Sequence, residues 1–283
     1  MRAAPAIVTQ LLAEHSLEIG AADFSQLDTA AALLPKNTSV AIAHFPNEDM
    51  TARVRAAVAV RRSGHVPIPH VAARRVESAG ELARFLADLR QAADVERLFV
   101  IAGDPDEPRG PYRDALSLVE MGDFAQYGIT NIGIAGYPDG HPRISTIELW
   151  ASLRKKVDAI TARGHDVEIV TQFSFDPDAV LRWLSELRSR GIGAPVKVGV
   201  PGPISLSGLL HFATRSGVSA SKSALAKYGT SIRKVVGTVG PRAFLERLAE
   251  GLDKEDHGPI ALHFFTFGAL QKTVDWVRAT HHE

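Results

Sequence analysis

A chain of 283 residues with 45% hydrophobic and 23% charged side chains has the make-up of a globular protein with one substantial core. Its 32 basic and 32 acidic side chains cancel, which excludes a global field for nucleic acid or an anionic membrane and leaves any anion to be held by local charge. The lack of cysteine excludes disulfides, thiolate metal sites and a cysteine nucleophile, and fits a reducing cytoplasm.

The opening segment, through Glu14 and His15, has an apolar stripe broken by polar residues and reads as an amphipathic helix rather than a signal peptide. No run reaches the length of a membrane span, so a cytoplasmic location is expected. Short runs rich in β-branched and aromatic residues then follow at 16–20, 39–45, 66–72, 97–104, 131–137, 167–175, 196–201 and 261–267. Helical periodicity separates most of them, as at 81–90, 178–188 and 244–252. Alternating strands and helices demand a parallel sheet, and runs apolar on both faces fit strands with an inside and a helix-covered outside. Eight such units in this length predict a single-domain (β/α)8 TIM barrel over residues 1–283.

Two stretches depart from the pattern. Pro67 and Pro69 remove ladder donors from the third run and predict a short or irregular strand. The interval between Pro201 and Ala261 is too long for one helix, and patterns at 205–215, 221–235 and 241–251 predict extra helices after strand 7 that wall or cover a site.

Barrels of this kind gather their chemistry at the C-terminal strand ends, which nominates Glu18, His44, His70, Asp104, Tyr137, His141, Gln172, Asp176 and Thr266. There is no Gly-x-Ser-x-Gly elbow, no closely spaced metal-ligand set, and no glycine cradle or Walker loop for phosphates. What remains is a pair of carboxyl groups, Glu18 and Asp104, and the amide of Gln172, expected to face one cavity. A carboxyl group among apolar walls can donate a proton, while a second carboxylate and an amide can hold a flat nitrogen heterocycle. Lys155 and Lys156, on a helical pattern, offer positive charge to an anionic cofactor.

At Gly103-Asp104, at 135–142 (Ala-Gly-Tyr-Pro-Asp-Gly-His-Pro), at 153–159 (Leu-Arg-Lys-Lys-Val-Asp-Ala) and at 171–176 (Thr-Gln-Phe-Ser-Phe-Asp) the sequence resembles the methylenetetrahydrofolate reductases. The order and spacing of these motifs agree over most of the chain; 16–19 resembles that family's first strand and 262–266 its last. The resemblance implies a barrel holding FAD, with NAD(P)H and folate using one flavin face in turn. It implies Glu18 as the general acid that helps open a methylene bridge, Asp104 at the pterin and flavin, and Gln172 at substrate and nicotinamide. His70, Gly103, Asp104, Tyr137, His141, Glu148, Lys155 and Lys156 are then expected along the cofactor, with Gln172, Tyr228 and Phe267 at the substrate and no metal. The chain departs from the family pattern at Ala43 and Ala102, which stand where a threonine and an arginine are usual, and at 267–269, which lacks the usual arginine.

The resulting expectation is a flavin-dependent oxidoreductase of one-carbon metabolism interconverting 5,10-methylene- and 5-methyltetrahydrofolate. The alternatives are a flavin-independent folate reductase of the same fold and a non-catalytic folate- or nucleotide-binding barrel. Expected partners are a folate substrate, no nucleic acid and no membrane, with a homo-oligomer left open.

Overall fold

The computed structural model describes residues 4–45, 48–204, 241–252 and 254–281. Its strands are β1 (His15–Gly20), β2 (Ser39–Ala43), β3 (Val66–Ala72), β4 (Arg97–Ile101), β5 (Asn131–Gly136), β6 (Asp166–Thr171), β7 (Val196–Pro201) and β8 (Ile260–Phe265). They pair in parallel in chain order and close as β8 returns to β1, from His15 against Leu262 to Glu18 against Phe265. The expected (β/α)8 barrel is the architecture found.

Around it lie α1 (Ala4–Ala13), α2 (Leu27–Ala30), α3 (Met50–Arg62), α4 (Ala79–Ala93), α5 (Ala115–Met121), α6 (Thr146–Ala162), α7 (Pro177–Ser189), α8 (Arg242–Gly251), α9 (Lys254–His257) and α10 (Leu270–His281). The opening helix α1 buries Val8, Leu11 and Leu12, and it packs on α8, α10 and β8. Of the helices expected after strand 7, the pattern at 241–251 is α8; those at 205–215 and 221–235 lie outside the described residues.

Strand side chains alternate between two environments. One set, with Leu17, Ile19, Val40, Ile42, Leu98, Val100, Ile132, Ile134, Val198, Leu262 and Phe264, is almost wholly buried and forms the layer under the helices. Each such fully buried aliphatic or aromatic side chain contributes roughly 1.5–3 kcal/mol. The other set faces the barrel interior, where small residues make room: a Cβ at Gly133 would come within 2.7 Å of the Phe99 ring.

The loops that leave the C-terminal strand ends run into capped helices. Asp49, Ser78, Asp114, Ser145 and Asp176 each accept a hydrogen bond from a backbone N–H of the first turn, for α3, α4, α5, α6 and α7 respectively. Asp176, nominated above as a site residue, is thus the cap of α7, with Pro177 at its first helical position.

The third strand corrects one expectation, because Val66–Ala72 is a full seven-residue strand despite its prolines. The Val66 N–H donates toward β2, to Thr38 O at 3.0 Å. By alternation Pro67 and Pro69 turn their missing donors toward β4 instead. The β3–β4 ladder accordingly begins only at His70 against Phe99. The β6–β7 ladder is also brief, pairing Ile169 with Val196 and Val170 with Lys197. Above it the Gly199 N–H donates to the Thr171 hydroxyl at 2.8 Å.

At the N-terminal end the interior is closed by charge. Glu168 Oε2 lies 3.0 Å from both Arg97 Nη2 and Lys197 Nζ, with only 12% of the Glu168 and Lys197 side chains exposed. Burial lowers the pKa of Lys197, and Glu168 opposes that shift.

Candidate active site

Glu18 stands on β1 two residues before its end, flanked across the ladders by Ala41 and Phe265. The small Ala41 lets Glu18 and His70 approach each other across β2. Glu18 Oε2 lies 3.6 Å from His70 Nε2 and 3.9 Å from His263 Nε2, with 13% of its side chain exposed. Both separations exceed a hydrogen bond, so the three groups adjoin without being locked together.

His263 is held from behind, since its Nδ1 lies 2.9 Å from the Ser16 hydroxyl, which donates to Leu262 O at 3.2 Å. The tautomer sets the roles: a hydroxyl that accepts from Nδ1–H leaves the Nε2 lone pair toward Glu18, and one that donates to Nδ1 leaves Nε2–H there. Burial pushes the pKa of His70 down to about 4, against the smaller opposing pull of Glu18, so its imidazole is neutral at neutral pH. Beneath it the fully buried Arg53 donates to His70 O at 2.6 Å and stacks over Phe85. His44, at the exit of β2, is driven to about 2 by burial and then by the surrounding cations Arg53 and Arg75, and its Nδ1 has no partner among the described residues.

Across the barrel mouth, three strands away, β4 leads into Gly103 and Asp104. Gly103 has φ +91°, and an added Cβ would lie 3.1 Å from Ala72 Cβ, so glycine suits both the backbone turn and the close approach. The Asp104 carboxylate is gripped by Arg75, whose Nε and Nη2 donate to Oδ1 at 2.8 and 2.6 Å and whose Nη2 also donates to Oδ2 at 2.7 Å.

After β5, Tyr137 packs edge-on against His141, with ring centroids 5.4 Å apart. Burial raises the Tyr137 pKa and lowers that of His141, the latter helped by Arg143. A cleft of about 370 Å³ opens beside this loop between α6 and α7, with Tyr137, Leu149, Trp150, Arg182 and Trp183 in its walls.

The two lysines of α6 part company. Lys155 is exposed, whereas Lys156 is buried and its pKa is lowered to about 8 by burial, opposed by Asp114. Among the described residues its ammonium has no hydrogen-bond partner. Glu148 serves the helix instead, because its Oε2 accepts from the Ser145 N–H and hydroxyl at 3.0 and 2.7 Å and completes the capping box of α6. That local bond also lowers its pKa.

Gln172 follows β6 and is exposed; its Oε1 accepts from the Phe173 N–H at 3.0 Å. Beyond it an aromatic wall joins Phe173 to Phe265 and Phe267, each 5.3 Å away centroid to centroid. Phe267 adopts φ +52°, a conformation rare for a bulky residue. Thr266 donates to Glu18 O at 2.6 Å and ties β8 to β1. Tyr228 lies outside the described residues.

Sequence patterns did not single out Ser16, Arg53, Arg75 or His263. Ser16 shares a face with Glu18 by strand alternation, and His263 interrupts an apolar run, so both left a trace in the sequence. Arg53 and Arg75 left none, because their partners are set by tertiary neighbours. Among the described residues no group of three or more histidines or carboxylates is placed to hold a metal ion. Nor is any helix there long and apolar enough to cross a membrane.

A closed parallel barrel with a carboxyl–imidazole cluster at its mouth and cation-bearing loops opposite defines a (β/α)8 protein of the kind that carries its chemistry at the C-terminal strand ends. A sequence model described as methylenetetrahydrofolate reductase matches residues 24–273, and the chain belongs to that family. The match begins after Glu18. Methylenetetrahydrofolate reductase (NADH) 1 of Arabidopsis thaliana is 28% identical over 196 residues, covering 62% of this chain and 30% of that one. The 5,10-methylenetetrahydrofolate reductase of Pectobacterium carotovorum subsp. carotovorum is 27% identical over 202 residues, covering 69% and 63%. The chain thus spans less than two thirds of either relative. Among solved structures, a GH18 chitinase from Pseudoalteromonas aurantia matches 95% of this chain and 99% of its own with a TM-score of 0.50 and 11% identity, a likeness of fold alone.

Proposed function

We propose that this chain is a flavin-dependent oxidoreductase that interconverts 5,10-methylenetetrahydrofolate and 5-methyltetrahydrofolate with NAD(P)H as the reductant. The carrying observation is Glu18 at the barrel mouth between two imidazoles, in a chain of this family. Family membership supports a folate substrate, and the names of the relatives supply the reaction.

The donor set suits an elongated cofactor with a diphosphate. Lys156 offers a mostly buried ammonium with no hydrogen-bond partner among the described residues, Lys155 adds an exposed one next to it in sequence, and Gly103 lets backbone come close where a side chain would intrude. Tyr137, His141, Lys155 and Lys156 would hold the cofactor, with His70 closing its inner side. Bound flavin would supply hydride chemistry there.

The chain's own part is protonic and positional. A methylene bridge between two nitrogens opens when the departing nitrogen is protonated, and Glu18 is the acid placed to do this. His263 Nε2 beside it can exchange a proton with Glu18, while the Ser16 hydroxyl holds the ring from its Nδ1 side in either tautomer. Neutral His70 adds polarity without a competing positive charge. Asp104 and Gln172 present acceptors to the N–H edge of a pterin, and the Phe173–Phe265–Phe267 wall offers an apolar side to its ring.

The test is the visible spectrum of the purified protein together with NAD(P)H-driven turnover of methylenetetrahydrofolate. A yellow protein that loses turnover on Glu18→Gln while keeping its flavin supports the reading. Protein that stays colourless after incubation with FAD removes the flavin step, and activity in that colourless protein favours direct hydride transfer from nicotinamide, the reading to which Ala43 and Ala102 point.

A further inference from the structure

The turn after β3 is the bed on which the Asp104 loop lies. The Arg74 N–H donates to Ala102 O at 2.9 Å, and the Arg109 N–H returns to Arg74 O at 2.9 Å. The Arg74 side chain reaches Arg113 O and Pro105 O at 2.7 and 3.1 Å. Gly110 sits so close to this turn that a Cβ there would fall 2.4 Å from the carbonyl oxygens of Val76 and Glu77. With the backbone thus fixed, Arg75 takes the carboxylate itself.

The grip is planar and two-pronged. Nε and Nη2 both donate to Oδ1, Nη2 also donates to Oδ2, and all three bonds lie between 2.6 and 2.8 Å. Only 8% of the Arg75 side chain is exposed, against 40% for Asp104. The guanidinium therefore lies beneath, and the carboxylate keeps an open side with acceptor capacity left on Oδ2. A rotating carboxylate would offer that acceptor in many directions; a forked pair offers it in one.

We propose that Arg75 is the positioning residue for Asp104, aiming its free acceptor at the ring N–H donors of a folate head group. The assignment rests on the reductase reading above. Arg75 lies beneath Asp104 with its guanidinium spent on that carboxylate, so its effect passes through Asp104. It also places a fixed cation at the exit of β3, where Ala102 leaves none on β4.

The experiment measures binding of 5-methyltetrahydrofolate to the intact, flavin-loaded protein by equilibrium dialysis. Arg75→Ala and Arg75→Lys should each weaken binding by about tenfold to a hundredfold, because a lysine keeps the charge and loses the fork. Guanidinium ion should restore Arg75→Ala, while sodium chloride of equal ionic strength should not. The double variant with Asp104→Asn should bind no worse than Asp104→Asn alone, since both changes remove one interaction. Wild-type affinity in Arg75→Lys, or fully additive losses in the double variant, would overturn the proposal. If the wild type binds no folate, the reductase reading falls first, and amide hydrogen exchange then judges the clamp. Guanidinium-dependent protection of residues 102–114 in Arg75→Ala sustains the clamp, and unchanged exchange in that variant refutes it.

Discussion

The two ends of the barrel handle charge in opposite ways. At the N-terminal end Glu168 meets Arg97 and Lys197 at 3.0 Å each, and the interior is plugged by paired charge. At the C-terminal end Glu18 meets His70 and His263 at 3.6 and 3.9 Å, distances that bind nothing tightly. Close ion pairs fix a structure, whereas unlocked neighbours leave a proton free to move. The lower end is thus built for stability and the upper for chemistry, the division expected of this fold.

Mutating one acid at each end should break the comparison cleanly. Glu18→Gln should lower turnover by about 10²–10⁴-fold, the usual worth of a general acid, while the melting temperature stays close to that of the wild type. A large fall in stability with turnover intact would reverse the roles assigned to the two ends. Glu168→Ala should do the opposite, leaving Arg97 and Lys197 unpaired and costing about 3–5 kcal/mol in urea unfolding. Because the Glu168 side chain keeps 12% exposure, the lower end of that range is the better expectation.

The upper end should also reveal itself through pH. His70 is held at about 4 in the fold against 6.5 when unfolded, so the unfolded chain binds the extra proton between those values. Its stabilising contribution is full above pH 6.5 and is lost as pH falls toward 4, by roughly 3 kcal/mol over the window. His44 acts with the same sign. Denaturant midpoints measured from pH 7.5 to 4.5 should fall steeply, and His70→Gln should flatten the slope. The smallest effect is expected at Lys156, whose ammonium titrates near 8. FAD affinity should drop by about tenfold as pH rises past that value, the worth of one charge-assisted bond, and Lys156→Met should abolish the dependence.

Much of the fold could be read from residue order. The eight apolar runs coincide with the eight strands, and the run at 196–201 matches β7 at both ends. Several predicted strands ran too far, as at 97–104 and 167–175, because the apolar character outlasts the ladder where the chain turns into a loop. The prolines of β3 misled for another reason: a donor's absence matters only on the side where a neighbour needs it, and sequence does not say which side that is. Of the site, Glu18 and Asp104 stood out as acids at strand ends. Glu148 carried a capping-box signature with Ser145 beside its resemblance to a ligand residue, and the cap is the role the helix shows. The lower plug went unread, since Arg97, Glu168 and Lys197 lie on different strands and meet only when the barrel closes.

The short ladders have a mechanical consequence. β3 joins β4 through three residue pairs and β6 joins β7 through two, against six for β5–β6 and six for β7–β8. These are the lines of fewest ladder pairs around the cylinder, and they divide it into a staff of three, β4 to β6, and a longer arc running from β7 through β8 and β1 to β3. One piece carries Asp104, Tyr137 and Gln172; the other carries Glu18, His70 and His263. The Arg75–Asp104 fork spans the first line like a staple, so the residues that would grasp a ligand and those that would move its proton stay in register through a bond that is not part of the sheet.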